Sequence, residues 1–388
     1  MKISRMTVTR VASPDFALLN STAVHPTHFE RAIVEMETAD GFRGAGEVPG
    51  SVYEALIAAR PFVLGHDPLE IEYFRQTIRS VAAFGAIEVA CLDIIGKVIN
   101  RRVVDLIGGP FREAAPYSAY IFYVMPTSDG PSYVKPEDIL RQYREFRNKY
   151  GFKAVKFKGG VFPPDQEIEA LRLIRAEFSD APLRIDPNQA WSVETSVRVA
   201  KALEPLEMEY LEDPTEGLDG MAAVRKQVRQ KLATNMVVTQ MGHIAPAFQK
   251  GSIDIVLLDN HYMGGLHNCR YWAAICQALG WGCSGHSNNH LGISMAAMTH
   301  MNCAIAHATY HADTHYPWTT LDVIKGPMLT FQDGKMPLPE GPGLGVEIDP
   351  DKLAQLAANV DRIRSRVPEQ RKWNSATLWD RRTGKPKF

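Results

Sequence analysis

The feature that most constrains this chain is an alternation that begins near residue 116 and continues to about residue 335. Short β-like runs lie at 117–123, 152–158, 183–186, 209–212, 232–238, 253–258, 282–285 and 309–313. Between them are stretches with helical periodicity, for example 136–149, 165–178, 193–203 and 266–279. Pro136 stands at the first turn of one such helix, where its missing N–H costs nothing. Eight strands alternating with seven helices require crossover connections, and right-handed crossovers roll a parallel sheet into a barrel. The expectation is an α/β barrel over residues 116–335.

The first part of the chain has a different pattern. Ile3, Met6, Val8 and Val11 fall in one strand-like stretch and Ala32-Ile33-Val34-Glu35-Met36 in another, punctuated by Asp40-Gly41 and Pro49-Gly50. Residues 84–98 then carry Ile87, Ala90, Cys91, Ile94 and Val98 at helical spacing, and Gly108-Gly109-Pro110 closes the region. Strands followed by helices make an α+β domain over residues 1–115. Beyond the barrel, a polar segment containing Gly341-Pro342-Gly343-Leu344-Gly345 is expected to return to that domain, so that residues 336–388 complete it.

Composition narrows the function classes. The 388 residues carry 43 Lys+Arg against 44 Asp+Glu, a net charge of −1. Such a chain has no long-range field with which to attract nucleic acid or an anionic membrane, and a small anionic substrate would have to be held by local groups. The five cysteines have no CxxC spacing, which fits reduced thiols and a cytoplasmic home. There is neither a signal-peptide pattern nor a membrane-length apolar run.

In parallel barrels the chemistry sits at the C-terminal ends of the strands. The second run ends Lys156-Phe157-Lys158, the third in Asp186 and the fourth in Glu212; the fifth carries Asn235, the sixth leads to Asp259 and the seventh to His286. From Lys158 onward these positions are 23–28 residues apart, one βα repeat each. Asp186, Glu212 and Asn235 are three hard oxygen donors on adjacent strands, a set that suits Mg²⁺. Any one acid alone could be a helix cap; three in register favour a metal.

Lys156 and Lys158 share a face of their strand, with backbones roughly 7 Å apart. Two ammonium groups at that distance repel by about 2.4 kcal/mol at an effective dielectric near 20. That is enough to draw one of them toward neutrality and make it a general base. Asp259 and His286 end neighbouring strands, where a carboxylate on one imidazole nitrogen would leave the other free to move protons.

Lys156-Phe157-Lys158-Gly159-Gly160, Asp186-Pro187-Asn188, Glu212-Asp213-Pro214, Ala233-Thr234-Asn235-Met236 and the run His286-Ser287-Asn288-Asn289-His290 resemble the glucarate dehydratase subgroup of the enolase superfamily. Asp313-Thr314-His315, the segment 341–349 and Leu18-Leu19-Asn20 followed by His25 extend the resemblance over nearly the whole chain. It implies a modified TIM barrel, (β/α)₇β, under an N-terminal capping domain, and Mg²⁺ on Asp186, Glu212 and Asn235. The implied reaction is dehydration of an acid sugar to a 2-keto-3-deoxy acid through an enediolate. Lys158 and the His286–Asp259 pair would be bases on opposite faces, with Lys156 an electrostatic stabiliser, His286 the acid for the leaving hydroxyl and Asn288 steering His286. Asn20, His25, Tyr120, Phe122 and His315 would contact substrate, and Arg381 or Arg382 its distal carboxylate. Relatives of this kind are usually symmetric homo-oligomers.

The pocket walls depart from the subgroup. The stretch between Tyr120 and Pro136 is shorter, Asn260 follows Asp259 where proline is expected, and Leu291-Gly292 follows His290 in place of an aromatic and an acid. An acid sugar is therefore expected rather than glucarate in particular. The alternatives are a racemase or epimerase using both bases without loss of water, a Schiff-base aldolase acting through Lys158, and a catalytically silent binding subunit.

Overall fold

The structure is a computed structural model that describes residues 1–128, 130–374 and 377–388. Three antiparallel strands open the chain: β1 (Ile3–Pro14), β2 (His28–Thr38) and β3 (Arg43–Pro49), in that spatial order. Asp40 and Gly41 make the β2–β3 turn, with Gly41 at φ 86°. Helices α1 (Tyr53–Val63), α2 (Ile71–Thr77) and α3 (Val81–Val98) cover one face of the sheet. Ser80 caps α3 by accepting from the Ala83 amide at 3.2 Å. α3 lies so close to β3 that a Cβ on Gly44 or Gly46 would fall 2.2 Å from the Ala90 carbonyl oxygen or 2.1 Å from that of Ala86. The apolar alternation of β1 and β2 thereby buries Ile3, Met6, Val34 and Met36 against Phe74, Ile87 and Ile94.

A short helix α4 (Val103–Leu106) and strand β4 (Ala114–Pro116) lead into the barrel. Seven parallel strands follow: β5 (Ser118–Phe122), β6 (Ala154–Lys158), β7 (Leu183–Asp186), β8 (Tyr210–Glu212), β9 (Leu232–Thr234), β10 (Ile255–Leu258) and β11 (Gly282–Gly285). Their spatial order is their sequence order, as successive right-handed crossovers require. The helices after them are α5 (Pro136–Tyr150), α6 (Pro164–Glu177), α7 (Val193–Leu203), α8 (Gly217–Arg225), α9 (Ile244–Lys250), α10 (Gly265–Leu279) and α11 (Gly292–Ala304).

The expected eighth strand, 309–313, is reduced to single bridges. Ala308 pairs with Cys283 and Ala312 with Tyr117, so this segment joins the two edges of the seven-stranded sheet without a continuous ladder. Side chains take the carbonyls that a ladder would use. Ser284 Oγ donates to the Tyr310 and His311 carbonyls at 3.3 and 2.9 Å, and Arg184 Nη1 donates to His311 at 2.6 Å.

Beyond the barrel, β12 (Lys335–Pro337) pairs antiparallel with β4. The glycine-rich loop docks on α3, where the Leu344 amide donates to Asp93 at 2.9 Å. α12 (Pro350–Ala357) packs on β1, and α13 (Val367–Trp373) follows. The last residues leave the N-terminal domain for the barrel mouth: the Trp379 amide donates to Ser21 O and the Ser192 amide to Phe388 O. Among the described residues no helix is long and apolar enough to cross a membrane, and all five cysteines are buried and free.

Candidate active site

β6 to β11 end on one rim of the barrel, and the strand period aims their last polar side chains inward. Asp186, Glu212 and Asn235 stand at the ends of the three central strands β7, β8 and β9. Lys156 and Lys158 flank them on β6; Asp259 and His286 flank them on the other side, just past β10 and β11.

Lys156 is fully buried. Its ammonium donates to Glu212 Oε1 at 2.6 Å and to Asp313 Oδ2 at 2.5 Å, 4.7 Å from the centre of the Tyr120 ring. Burial alone would pull this amine down, but Asp313 and Glu212 outweigh it and push it well above the usual lysine range. The repulsion expected to draw one of the two lysines toward neutrality is outweighed at Lys156 by these carboxylates. The carboxylate that reverses the sign, Asp313, comes from the closing segment.

Lys158 lies nearer the mouth. It donates to Asp186 Oδ2 at 2.6 Å and to Asn188 Oδ1 at 3.3 Å. Burial would raise the Asp186 carboxyl, yet the Lys158 and Lys156 ammoniums hold it at about 2. Glu212 moves the other way: burial, then the charge of Asp186, push it well above the usual range.

The loops after these strands are tightly constrained. Asn188, Gln189 and Asp213 have φ of 55°, 63° and 38°, a left-handed conformation that costs a side-chain-bearing residue energy and clusters at functional sites. The Gln189 amide donates to Asp213 O at 2.7 Å, so the two loops hold each other. Asp213 in turn accepts from Thr234 Oγ1 at 2.5 Å and from the Asn235 amide at 2.9 Å, fixing the start of the β9 loop.

Asn235 Nδ2 donates to His286 Nε2 at 3.0 Å, which turns its oxygen away from the imidazole. His286 Nδ1 faces Asp259 Oδ2 at 2.8 Å. Burial would raise Asp259, but His261 and His286 hold it well below the usual carboxylate range. His286 is thus oriented by Asp259 and Asn235. The expected steering by Asn288 is absent: its amide donates instead to Tyr262 OH at 2.6 Å, on the rim.

The residues expected at the substrate are brought together on the β5 side. The His315 ring packs 4.7 Å from Tyr120 and 5.3 Å from Phe122 and stacks 6.4 Å from His25. Burial holds His315 well below the usual imidazole range. His25 Nδ1 lies 2.9 Å from Asp15 Oδ2. Asn20 directs its oxygen into its own turn, accepting from the Thr22 and Ala23 amides. Of the two C-terminal arginines, Arg381 reaches the mouth and donates to Asn188 O, whereas Arg382 pairs with Asp380 at the surface. A cleft of about 750 Å³ opens beside Asn188, Asn235 and Asn288, walled by Met236, Tyr262 and Trp272.

Some side chains at the site have no role assigned from sequence. Asp313 ends the eighth run and stands in the family-like run Asp313-Thr314-His315, but its pairing with Lys156 appears only in the fold. Asp15 and His261 carry no spacing signal; Asp15 matters through its contact with His25, and His261 through its contact with Asp259.

The donor set fits a hard cation. Asp186 and Glu212 offer carboxylate oxygens and Asn235 an amide oxygen from adjacent strands, while among the described residues no group of three or more His, Cys, Asp or Glu side chains forms a metal cage. Glu212 Oε2 is buried with no hydrogen-bond partner, the kind of orphaned carboxyl oxygen that a cation would satisfy.

Residues 6–108 match the family described as mandelate racemase/muconate lactonizing enzyme, N-terminal domain, and residues 138–352 match the family described as enolase C-terminal domain-like. A probable glucarate dehydratase of Streptomyces coelicolor is 40% identical over 395 residues, covering 92% of this chain and 91% of that protein. A crystal structure of an enolase from Thermobispora bispora, complexed with magnesium and formate, is 41% identical with a TM-score of 0.92 and covers 97% of this chain and 98% of that one. Another, from Pseudomonas fluorescens with bound magnesium, potassium and tartrate, is 34% identical with a TM-score of 0.94 and covers 100% and 99%. Two domains that both match, and alignments that run nearly end to end, place this chain in the enolase superfamily.

Proposed function

We propose that this protein is a Mg²⁺-dependent hydro-lyase that removes water from an acid sugar to give a 2-keto-3-deoxy acid. The observation that carries this is the placement of an amine, Lys158, and an imidazole, His286, on opposite flanks of the Asp186, Glu212 and Asn235 oxygens. Similarity to a probable glucarate dehydratase supports the class of reaction.

Asp186, Glu212 and Asn235 would hold Mg²⁺, which supplies positive charge where the substrate carboxylate becomes an enediolate. Lys158, as the free amine, takes the proton alpha to that carboxylate on one face of the substrate. Lys156, kept charged by Asp313 and Glu212, faces the developing negative charge without needing to reorganise. His286, its Nδ1–H held by Asp259, would act as the imidazolium, giving its Nε2 proton to the departing β-hydroxyl and returning to the neutral ring. The C–O bond breaks as the enediolate collapses, water leaves, and the enol becomes the keto acid. His25, His315 and Arg381 would meet the distal end of the sugar.

A panel of aldaric and aldonic acids with Mg²⁺, read by a keto-acid colour reaction, tests this. At least one sugar should give a 2-keto-3-deoxy product. Deuterium from solvent at the alpha carbon without keto acid would replace dehydration by epimerisation. No turnover and no exchange with any diastereomer would end the proposal.

A further inference from the structure

His286 does not stand at the end of its hydrogen-bonded chain. Asp259 uses its second oxygen, Oδ1, to accept from the His261 amide at 2.8 Å and to meet His261 Nδ1 at 2.9 Å. The other nitrogen of that ring, Nε2, lies 2.9 Å from Ser294 Oγ and 3.3 Å from Arg31 Nη2. Arg31 belongs to β2 of the N-terminal sheet. Its Nε donates to Glu47 Oε1 at 2.7 Å, and Glu47, on β3, accepts from the Leu291 and Ser294 amides at the start of α11 at 2.8 Å each. Arg31, Glu47, Asp259, His261, His286 and Ser294 are all at most 5% exposed.

The direction of each bond follows from donor inventory. A guanidinium can only donate, so the nitrogen of His261 that faces Arg31 must accept. In the neutral ring the proton would then be on Nδ1, pointing at Asp259 Oδ1. The opposite tautomer would set Nε2–H against the Arg31 N–H and turn a bare lone pair toward a carboxylate. Asp259 therefore receives N–H donors on both oxygens, one from His261 and one from His286, and its plane is fixed between two imidazoles.

We propose that His261 is a positioning residue for the Asp259–His286 pair, and that Arg31 sets its tautomer, so that the N-terminal domain reaches the active-site imidazole through three hydrogen bonds. A merely space-filling role would be met by an apolar side chain at far lower desolvation cost than a buried arginine, two acids and two imidazoles. The placement also gives the docking of the two domains a consequence at the base itself.

Two measurements test this. In the full-length protein labelled with [¹⁵N]histidine, the ring nitrogens of His261 should report a single Nδ1–H tautomer. Arg31→Met should release it, giving a mixture with the Nε2–H form. This arm needs no substrate. The second arm rests on the dehydratase proposal. His261→Leu should lower kcat by about 10–100-fold with KM within about twofold. His261→Asn, whose amide N–H can still reach Asp259, should recover most of the loss. An Nε2–H tautomer in the unaltered protein, or a folded His261→Leu variant with unchanged kcat, would overturn the proposal. If His261→Leu does not fold, the tautomer decides alone. If no acid sugar is turned over, the dehydratase proposal fails while the tautomer still decides this one.

Discussion

Lys156 and Lys158 are two residues apart on one strand face, yet their surroundings assign them different work. Lys156 is enclosed by Glu212, Asp313 and Asp186, so replacing it by methionine takes the short ion pair from Glu212 and Asp313, while Asp186 keeps Lys158. Removing one partner of a buried ion pair costs about 3–5 kcal/mol, and urea unfolding of Lys156→Met should register a loss of that size. Lys158→Met leaves Asp186 its longer contact with Lys156, so it should lose less stability than Lys156→Met, while kcat falls about 10²–10⁴-fold, the contribution of a general base. Equal loss of stability in both variants would contradict this division.

Glu167 offers a pH-dependent test away from the metal ligands. It is buried and accepts from the Gly160, Val161 and Phe162 amides; burial outweighs those bonds and raises its carboxyl to about 7. A carboxyl with a raised folded pKa gives its full stability below the unfolded value of 4.5 and loses it as pH rises through the folded one. Relative to Glu167→Gln, the protein should lose roughly 3 kcal/mol between pH 4.5 and 7, at about 1.4 kcal/mol per unit. Urea unfolding at a series of pH values reads this, and a stability gap to Glu167→Gln that stays constant from pH 4.5 to 7 would refute it.

At the scale of elements, α11 begins on borrowed acceptors. Leu291 and Ser294 amides at its N-terminus donate to Glu47, which comes from β3 of the other domain and is held below the usual carboxylate range by Arg31 and these amides despite its burial. Glu47→Ala removes the cap and leaves the Arg31 guanidinium buried without its partner. Chemical unfolding should show a loss of about 3–5 kcal/mol. A loss below about 1 kcal/mol would mean that the helix finds other acceptors, which is the cost of an ordinary cap. The same principle of exchanged groups closes the barrel: where Ser284 and Arg184 side chains take the carbonyls of 310 and 311, no full strand is needed.

At the scale of the whole molecule, the proposed cation ties three strands together. A ligand that binds only the folded state at 100 times its dissociation constant adds about 2.7 kcal/mol. Mg²⁺ titrated into metal-stripped protein should raise Tm accordingly, and EDTA should reverse the gain. Asp186→Asn should abolish most of the response. An unchanged Tm in saturating Mg²⁺ would remove the basis of the site.

The rim residues were legible from sequence because strand period and repeat length are local. They dictate that Lys156, Lys158, Asp186, Glu212, Asn235, Asp259 and His286 end successive strands with side chains on one side. The barrel, the helical boundaries at Val193–Leu203 and the three-stranded start were legible for the same reason. The partners were not. Asp313 meets Lys156 across 157 residues and Arg31 meets His261 across 230. Such pairs exist only once the ring has closed and the domains have docked, and the burial that drives both events is non-directional. By itself, then, the sequence determined which groups could do chemistry and on which rim; the tertiary structure decided which lysine is enclosed by acids, which imidazole is backed by which acid, and that an arginine from one domain touches a histidine of the other.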